Sequence, residues 1–165
     1  MSYGRLRGAV LLAAFFFWPV AALTAGSSQT QFTVSATVLD SCAVTAGNLA
    51  FGSYTAGSAA PVTAASTIQV TCTNGLAYSV ALDGGSTSHN VAARAMTDGS
   101  NMLAYGLYTS NAYSTIWGDG TAPTARVPGA GTGTTQSLIV YGRIGAGQFM
   151  PAGSYSDTVT VSVDY

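Results

Sequence analysis

An all-β sandwich of immunoglobulin type is the fold this chain predicts, and three observations predict it. About seven short apolar stretches recur with a period of two, turn signals rich in Gly, Asn, Asp and Ser separate them, and no segment sustains a helical period. Composition agrees: 48% of the 165 residues are hydrophobic, only 7% are charged, 20 are glycine, and neither Lys nor Glu occurs. Without those two helix formers, the chain is biased toward strands and turns, as in extracellular β-rich proteins. Its length suits one domain with a core of ordinary size.

The N-terminus reads as a targeting segment. "MSYGRLRG" supplies positive charge, "AVLLAAFFFWPV" an apolar core of twelve residues, and "AALTAGSS" the small residues at which a signal peptidase cuts. Cleavage is expected between Ala22 and Ser27, making residues 1–25 a signal peptide. The apolar core is shorter than the roughly 20 residues of a membrane-spanning helix. Removing the leader takes Arg5 and Arg7 with it and leaves three Arg against six Asp. An acidic exported chain is a poor partner for nucleic acid.

Each element has a local reason. "QFTVSATVL" (Gln31 to Leu39) alternates, with Phe32, Val34, Ala36 and Val38 on one side, and is expected to be a strand. "NLAFGSY" (Asn48 to Tyr54) is a shorter apolar piece bent at its glycine. "STIQVTC" (Ser66 to Cys72) and "LAYSVAL" (Leu76 to Leu82) flank a "TNG" turn and read as a hairpin. "DGGSTSHN" is loop and "ARAM" a short strand. "MLAYGLY" (Met102 to Tyr108) offers apolar groups to both faces, as a strand buried on two sides does. Thr109 to Thr135 has little period and reads as a long surface excursion. "QSLIVYGRI" (Gln136 to Ile144) is a strand. The chain ends on "GSYSDTVTVSVDY", whose Val159, Val161, Val163 and Tyr165 share a face. A strand of this kind needs a neighbour, because an unpaired apolar edge recruits other chains.

The residues that could carry chemistry are few. Cys42 and Cys72, thirty positions apart in an exported chain, read as a disulfide; a metal or redox pair would need further ligands or a Cys-x-x-Cys spacing. His89 is the single histidine and has no nucleophile motif beside it. "GAGTG" (Gly129 to Gly133) is not followed by a helical pattern, so it reads as a flexible loop rather than a phosphate cradle. Asp40, Asp83, Asp98 and Asp119 precede Gly or Ser, which points to turn chemistry; no calcium-type spacing is visible. Tyr105, Tyr108, Tyr113 and Trp117 are candidates for a sugar-stacking surface, with Trp117 set in a polar loop. No cofactor, metal or enzymatic activity is expected.

Six motifs occur in order: "CAVTAGNLAFGSY", "STIQVTCTNGLAYSVALDGG", "MLAYGLY", "WGDGT", "IVYGRI" and "AGSYSDTVTVSVDY". Together, from Cys42 to Tyr165, they resemble the spore coat protein U domain, the family that includes subunits of Csu-type pili of the archaic chaperone–usher pathway. The resemblance implies an incomplete immunoglobulin-like β-sandwich lacking its seventh strand and completed by donor-strand complementation. It implies a groove beside the C-terminal strand, with Val159, Val161, Val163 and Tyr165 as acceptor and chaperone-binding strand. A periplasmic chaperone fills the groove first, and the N-terminal extension of the next subunit replaces it at an outer-membrane usher. The family's cysteine pair corresponds to Cys42 and Cys72. Its donor segment corresponds to Phe32, Val34, Ala36 and Val38, within an extension spanning residues 26–41 ahead of a pilin domain of residues 42–165.

The function expected is therefore structural: a subunit of a secreted surface fibre, homopolymeric or heteropolymeric, supporting adhesion and biofilm. The alternative is a self-contained spore-coat or cell-surface binding module with a carbohydrate contact. Whether the N-terminal strand completes its own domain or a neighbour's stays open at this level.

Overall fold

Alternating apolar residues commit a segment to burying one face, and two sheets laid face to face satisfy that demand. The computed structural model describes residues 25–165 and follows this solution. The expected signal peptide lies almost wholly outside the described residues. Eight strands and one helical turn follow in order. They are β1 (Cys42–Ala46), β2 (Val62–Cys72), β3 (Ala77–Leu82), α1 (Gly85–Ser88), β4 (Arg94–Thr97), β5 (Met102–Tyr108), β6 (Val127–Ala130), β7 (Gln136–Ile144) and β8 (Val161–Asp164). One sheet has the order β1-β2-β7-β5-β4 and the other β6-β3-β8, with every pair antiparallel.

The core lies between the sheets. Ile68 and Val70 of β2, Leu107 of β5 and Val140 of β7 face Tyr78, Val80 and Leu82 of β3. β1 is fastened to β2 by the Cys42–Cys72 disulfide, formed between register partners. Outward positions such as Thr63, Thr67 and Gln69 are exposed, so β2 has the one-sided pattern its sequence shows.

Several expectations change. β2 and β3 do not form a hairpin: the turn at Thr73–Gly75 carries the chain from one sheet to the other, and β3 pairs with β6 and β8 instead. β5 buries Leu103 and Leu107 but exposes Met102 and Ala104, so only one of its faces is covered. The excursion after Tyr108 contains β6, and Trp117 within it is 1% exposed. Its indole donates to the Val80 carbonyl at 3.0 Å, and its backbone N–H to Leu107 at 2.9 Å. A buried indole with its N–H paired is a core residue, not a sugar platform. Tyr108 and Tyr113 pack edge to face, with Arg143 over the Tyr113 ring.

The chain divides into two units, residues 1–37 and 38–165. In the described part of the first, residues 25–37, there is no strand or helix, and Phe32 and Val34 are 85% and 81% exposed. The expected strand over 31–39 is thus not formed, because alternation specifies a buried face while a strand also needs a hydrogen-bonding neighbour.

Truncating Trp117 to Ala should cost about 3 to 5 kcal/mol, since it empties part of the core and removes the indole's hydrogen bond to the Val80 carbonyl. Urea denaturation followed by circular dichroism reads this. Replacing both cysteines with serine removes a 30-residue cross-link. That should lower stability by about 3 to 4 kcal/mol in the chain-entropy description.

Candidate functional site

β8 has β3 on one side and, among the described residues, no strand on the other. A cleft of about 1010 Å³ opens there. One wall is Asp157–Val159 with Val161, the other is the segment Ala46–Tyr54, and the floor is core: Ile68, Leu82, Leu107, Val140 and Ile144. The second wall sits close because Gly142 leaves room on the inner face of β7: a Cβ there would run into Leu49 and Phe51. Tyr54 anchors the same segment, accepting a hydrogen bond from Gln148 N and donating to the Gly145 carbonyl. The opening is therefore a trough with an apolar floor between two rims held by such contacts.

One end of the trough is polar. Asp157 accepts hydrogen bonds from Ser86 Oγ and Thr87 N, each at 3.0 Å, and from the Tyr105 hydroxyl at 2.7 Å. Asp83 accepts from Gly85 N at 3.0 Å and Thr160 N at 2.9 Å. These bonds keep residues 157–160 in line with β8 although only Val161–Asp164 form its ladder. Beneath them lies Arg94, 1% exposed, donating to the carbonyls of Leu82, Asp83 and Trp117.

Burial pushes the Asp157 and Asp83 carboxyls up. The hydrogen bonds they accept outweigh it, from Tyr105, Ser86 and Thr87 in one case and from Thr160 and Gly85, with Arg94 nearby, in the other. Both are held below the usual carboxylate range. Burial and then the Asp157 bond push the Tyr105 phenol up. Arg94 is lowered by burial. At neutral pH the cluster is two carboxylates, one guanidinium and one neutral phenol.

Of the acceptor residues expected from sequence, Val159 and Val161 line the cleft. Val163 packs against the core beyond it, and Tyr165 is 61% exposed. Of the donor residues, Phe32, Val34, Ala36 and Val38 are all exposed. His89 closes α1 in a left-handed conformation. Asp83, Asp98 and Asp119 bond backbone N–H groups two residues on, as turn aspartates do; Asp98 is held at about 2 by the N–H groups of Asn101 and Ser100. Among the described residues no three His, Cys, Asp or Glu gather to hold a metal. Sequence reasoning missed Tyr105, Asp157 and Asn48–Tyr54 as cleft residues.

A two-sheet sandwich whose last strand has, among the described residues, a neighbour on one side only, beside an apolar floor, is an incomplete β-sandwich, the class of domain that an added strand can complete. The chain belongs to the Spore Coat Protein U domain family, whose family model matches residues 28–162. It is also similar to a chain in the crystal structure of the CsuC–CsuE chaperone–tip adhesion subunit pre-assembly complex, from archaic chaperone–usher Csu pili of Acinetobacter baumannii. That similarity has 30% identity and a TM-score of 0.58, and covers 78% of this chain and 40% of that one. The chain thus spans well under half the length of that structural relative. No curated protein matches it.

Acid should weaken the polar end. Carboxylates with depressed folded-state pKa values stabilise fully above the unfolded value of about 3.9 and lose that contribution as pH falls through their lower folded values. Urea midpoints should hold steady from pH 7 to 5 and drop toward pH 3. Asp157→Asn should lower the midpoint at pH 7 and make the acid drop shallower.

Proposed function

We propose that this chain is a structural subunit of a surface fibre of chaperone–usher type, polymerised by donor-strand exchange. The observation that carries the reading is the side of β8 that no strand among the described residues covers, beside an apolar floor. It is matched by an exposed alternating segment, Phe32, Val34, Ala36 and Val38, just ahead of β1. Family membership and the pilus relative support the same role, which is structural rather than catalytic.

In this reading a periplasmic chaperone covers the groove first, and the N-terminal segment of the next subunit replaces it at an outer-membrane usher. The neighbour's main chain completes the β8 ladder while its alternate side chains enter the trough. Val159 and Val161 meet those side chains, and Val163 and Tyr165 extend the acceptor edge. Burying three large apolar groups and one Ala stabilises by roughly 5 to 10 kcal/mol before ordering costs, comparable to the whole stability of a domain. An unfilled subunit is then marginal and a filled one hard to dissociate. The route is export through the periplasm to the cell surface, where the fibre serves adhesion and biofilm.

Deleting residues 29–38 should leave a soluble complex with the chaperone and abolish polymer. Co-expression with chaperone and usher, followed by electrophoresis in detergent without boiling, checks this; ladders that persist in the deletion variant would sink the proposal.

A further inference from the structure

A groove that captures a strand works best when its width is set beforehand, because every segment ordered on binding subtracts from affinity. Its two walls here come from distant parts of the chain, Ala46–Tyr54 and Asp157–Val161. One side chain touches both. Tyr105, on β5 at the floor, meets Phe51 of the first wall edge-on with ring centroids 6.1 Å apart. Its hydroxyl donates to Asp157 Oδ2 of the second wall at 2.7 Å.

Each end of this link is itself fixed. Asp157 rests directly on Gly85, where any Cβ would collide with its carboxylate, and Ser86 Oγ and Thr87 N hold its other oxygen. Gly85 also has φ +76°, so an added side chain would be strained as well as crowded. Phe51 is seated over Gly142. Tyr105 lies opposite Arg94 in the β4–β5 ladder. We propose that Tyr105 and Asp157 form a strut across the floor of the cleft that sets the distance between its walls, and so act as positioning residues for strand capture. The proposal rests on the reading of the cleft as a strand acceptor.

The groups facing the strut keep it intact at neutral pH. Arg94 from β4 favours the ionised Asp157, Asp83 at the end of β3 neutralises part of that charge, and Asp119 acts on Arg94 from the loop before β6. With the phenol pushed up and the carboxylate held low, one end stays a donor and the other an acceptor. Acid removes the acceptor's charge and weakens the link.

The test uses the full chain and a labelled synthetic peptide spanning Gln29 to Leu39, with binding followed by fluorescence anisotropy between pH 7 and 3. Tyr105→Phe keeps the ring against Phe51 and removes only the hydroxyl. It should raise the peptide Kd by roughly tenfold, the worth of one bond to a charged acceptor, and flatten the acid limb of the binding profile. The thermal midpoint should move by only a few degrees. Asp157→Asn retains an oxygen for the phenol and should recover part of the affinity lost in Asp157→Ala. Wild-type affinity and pH profile in Tyr105→Phe would overturn the strut. If that variant fails to fold, Ser86→Ala, which loosens Asp157 from behind, should weaken binding about threefold; equal affinity there also overturns it. A wild-type chain that takes up no peptide overturns the reading of the cleft and the strut with it, whereas wild-type uptake with unaffected variants removes the strut alone.

Discussion

The structure is organised around a conflict at one edge. The backbone N–H and C=O groups on the side of β8 that no described strand covers need partners, and water is the default supplier. Next to that edge the floor is Ile68, Leu107 and Val140, which water should not reach. No arrangement of solvent satisfies both at once; a further strand does, with its main chain on the ladder and its side chains on the floor. Much of the surrounding detail places the two walls of the cleft. The wall at Asn48–Tyr54 is seated on Gly142 and pinned through Tyr54, while Asp83 and Asp157 hold the opposite wall in line with β8.

Arg94 shows how a thin second sheet is kept in place. A three-stranded sheet buries little surface on its own, and a charge beneath it is costly unless its hydrogen bonds are met. Arg94 starts from the five-stranded sheet and donates through Nε and Nη2 to Leu82 and Asp83 at the end of β3 and to Trp117, while its buried Nη1 has no partner. Trp117 closes the same junction from the other direction by donating to Val80 and Leu107. Cation and indole together fasten the two layers near the end of β3.

What the sequence made legible was periodicity, and what it hid was pairing. The alternation over Ser66–Cys72 and Gln136–Ile144 located β2 and β7, because each buries one face along its whole length. The same reasoning found β3 but gave it the wrong partner: adjacency suggested a hairpin, whereas the Thr73–Gly75 turn crosses between sheets. β1 escaped notice because "CAVTA" is short and made largely of small residues. At Trp117 the polar neighbours implied exposure, yet Asp119 turns them outward by bonding Thr121 N and leaves the indole inside. In the cleft, Val159 and Val161 were visible from local alternation. Tyr105, Asp157 and Asn48–Tyr54 were not, since their role arises from contacts such as Tyr105–Asp157 and Tyr54–Gln148, separated by 52 and 94 residues.

The disulfide acquires a mechanical meaning from where it sits. Cys42 opens β1, directly after the exposed segment that ends at Ser41, and Cys72 closes the longest strand among the described residues. Ser41 and Thr73 add hydrogen bonds just outside the bridge. Tension applied through the N-terminal segment therefore enters at a covalent junction and is passed at once to β2, which is zipped to β7 over nine residue pairs. Load along that path shears many ladder bonds in parallel and cannot peel β1 away one bond at a time. A domain wired in this way resists being pulled from its N-terminus far more than its small core would suggest.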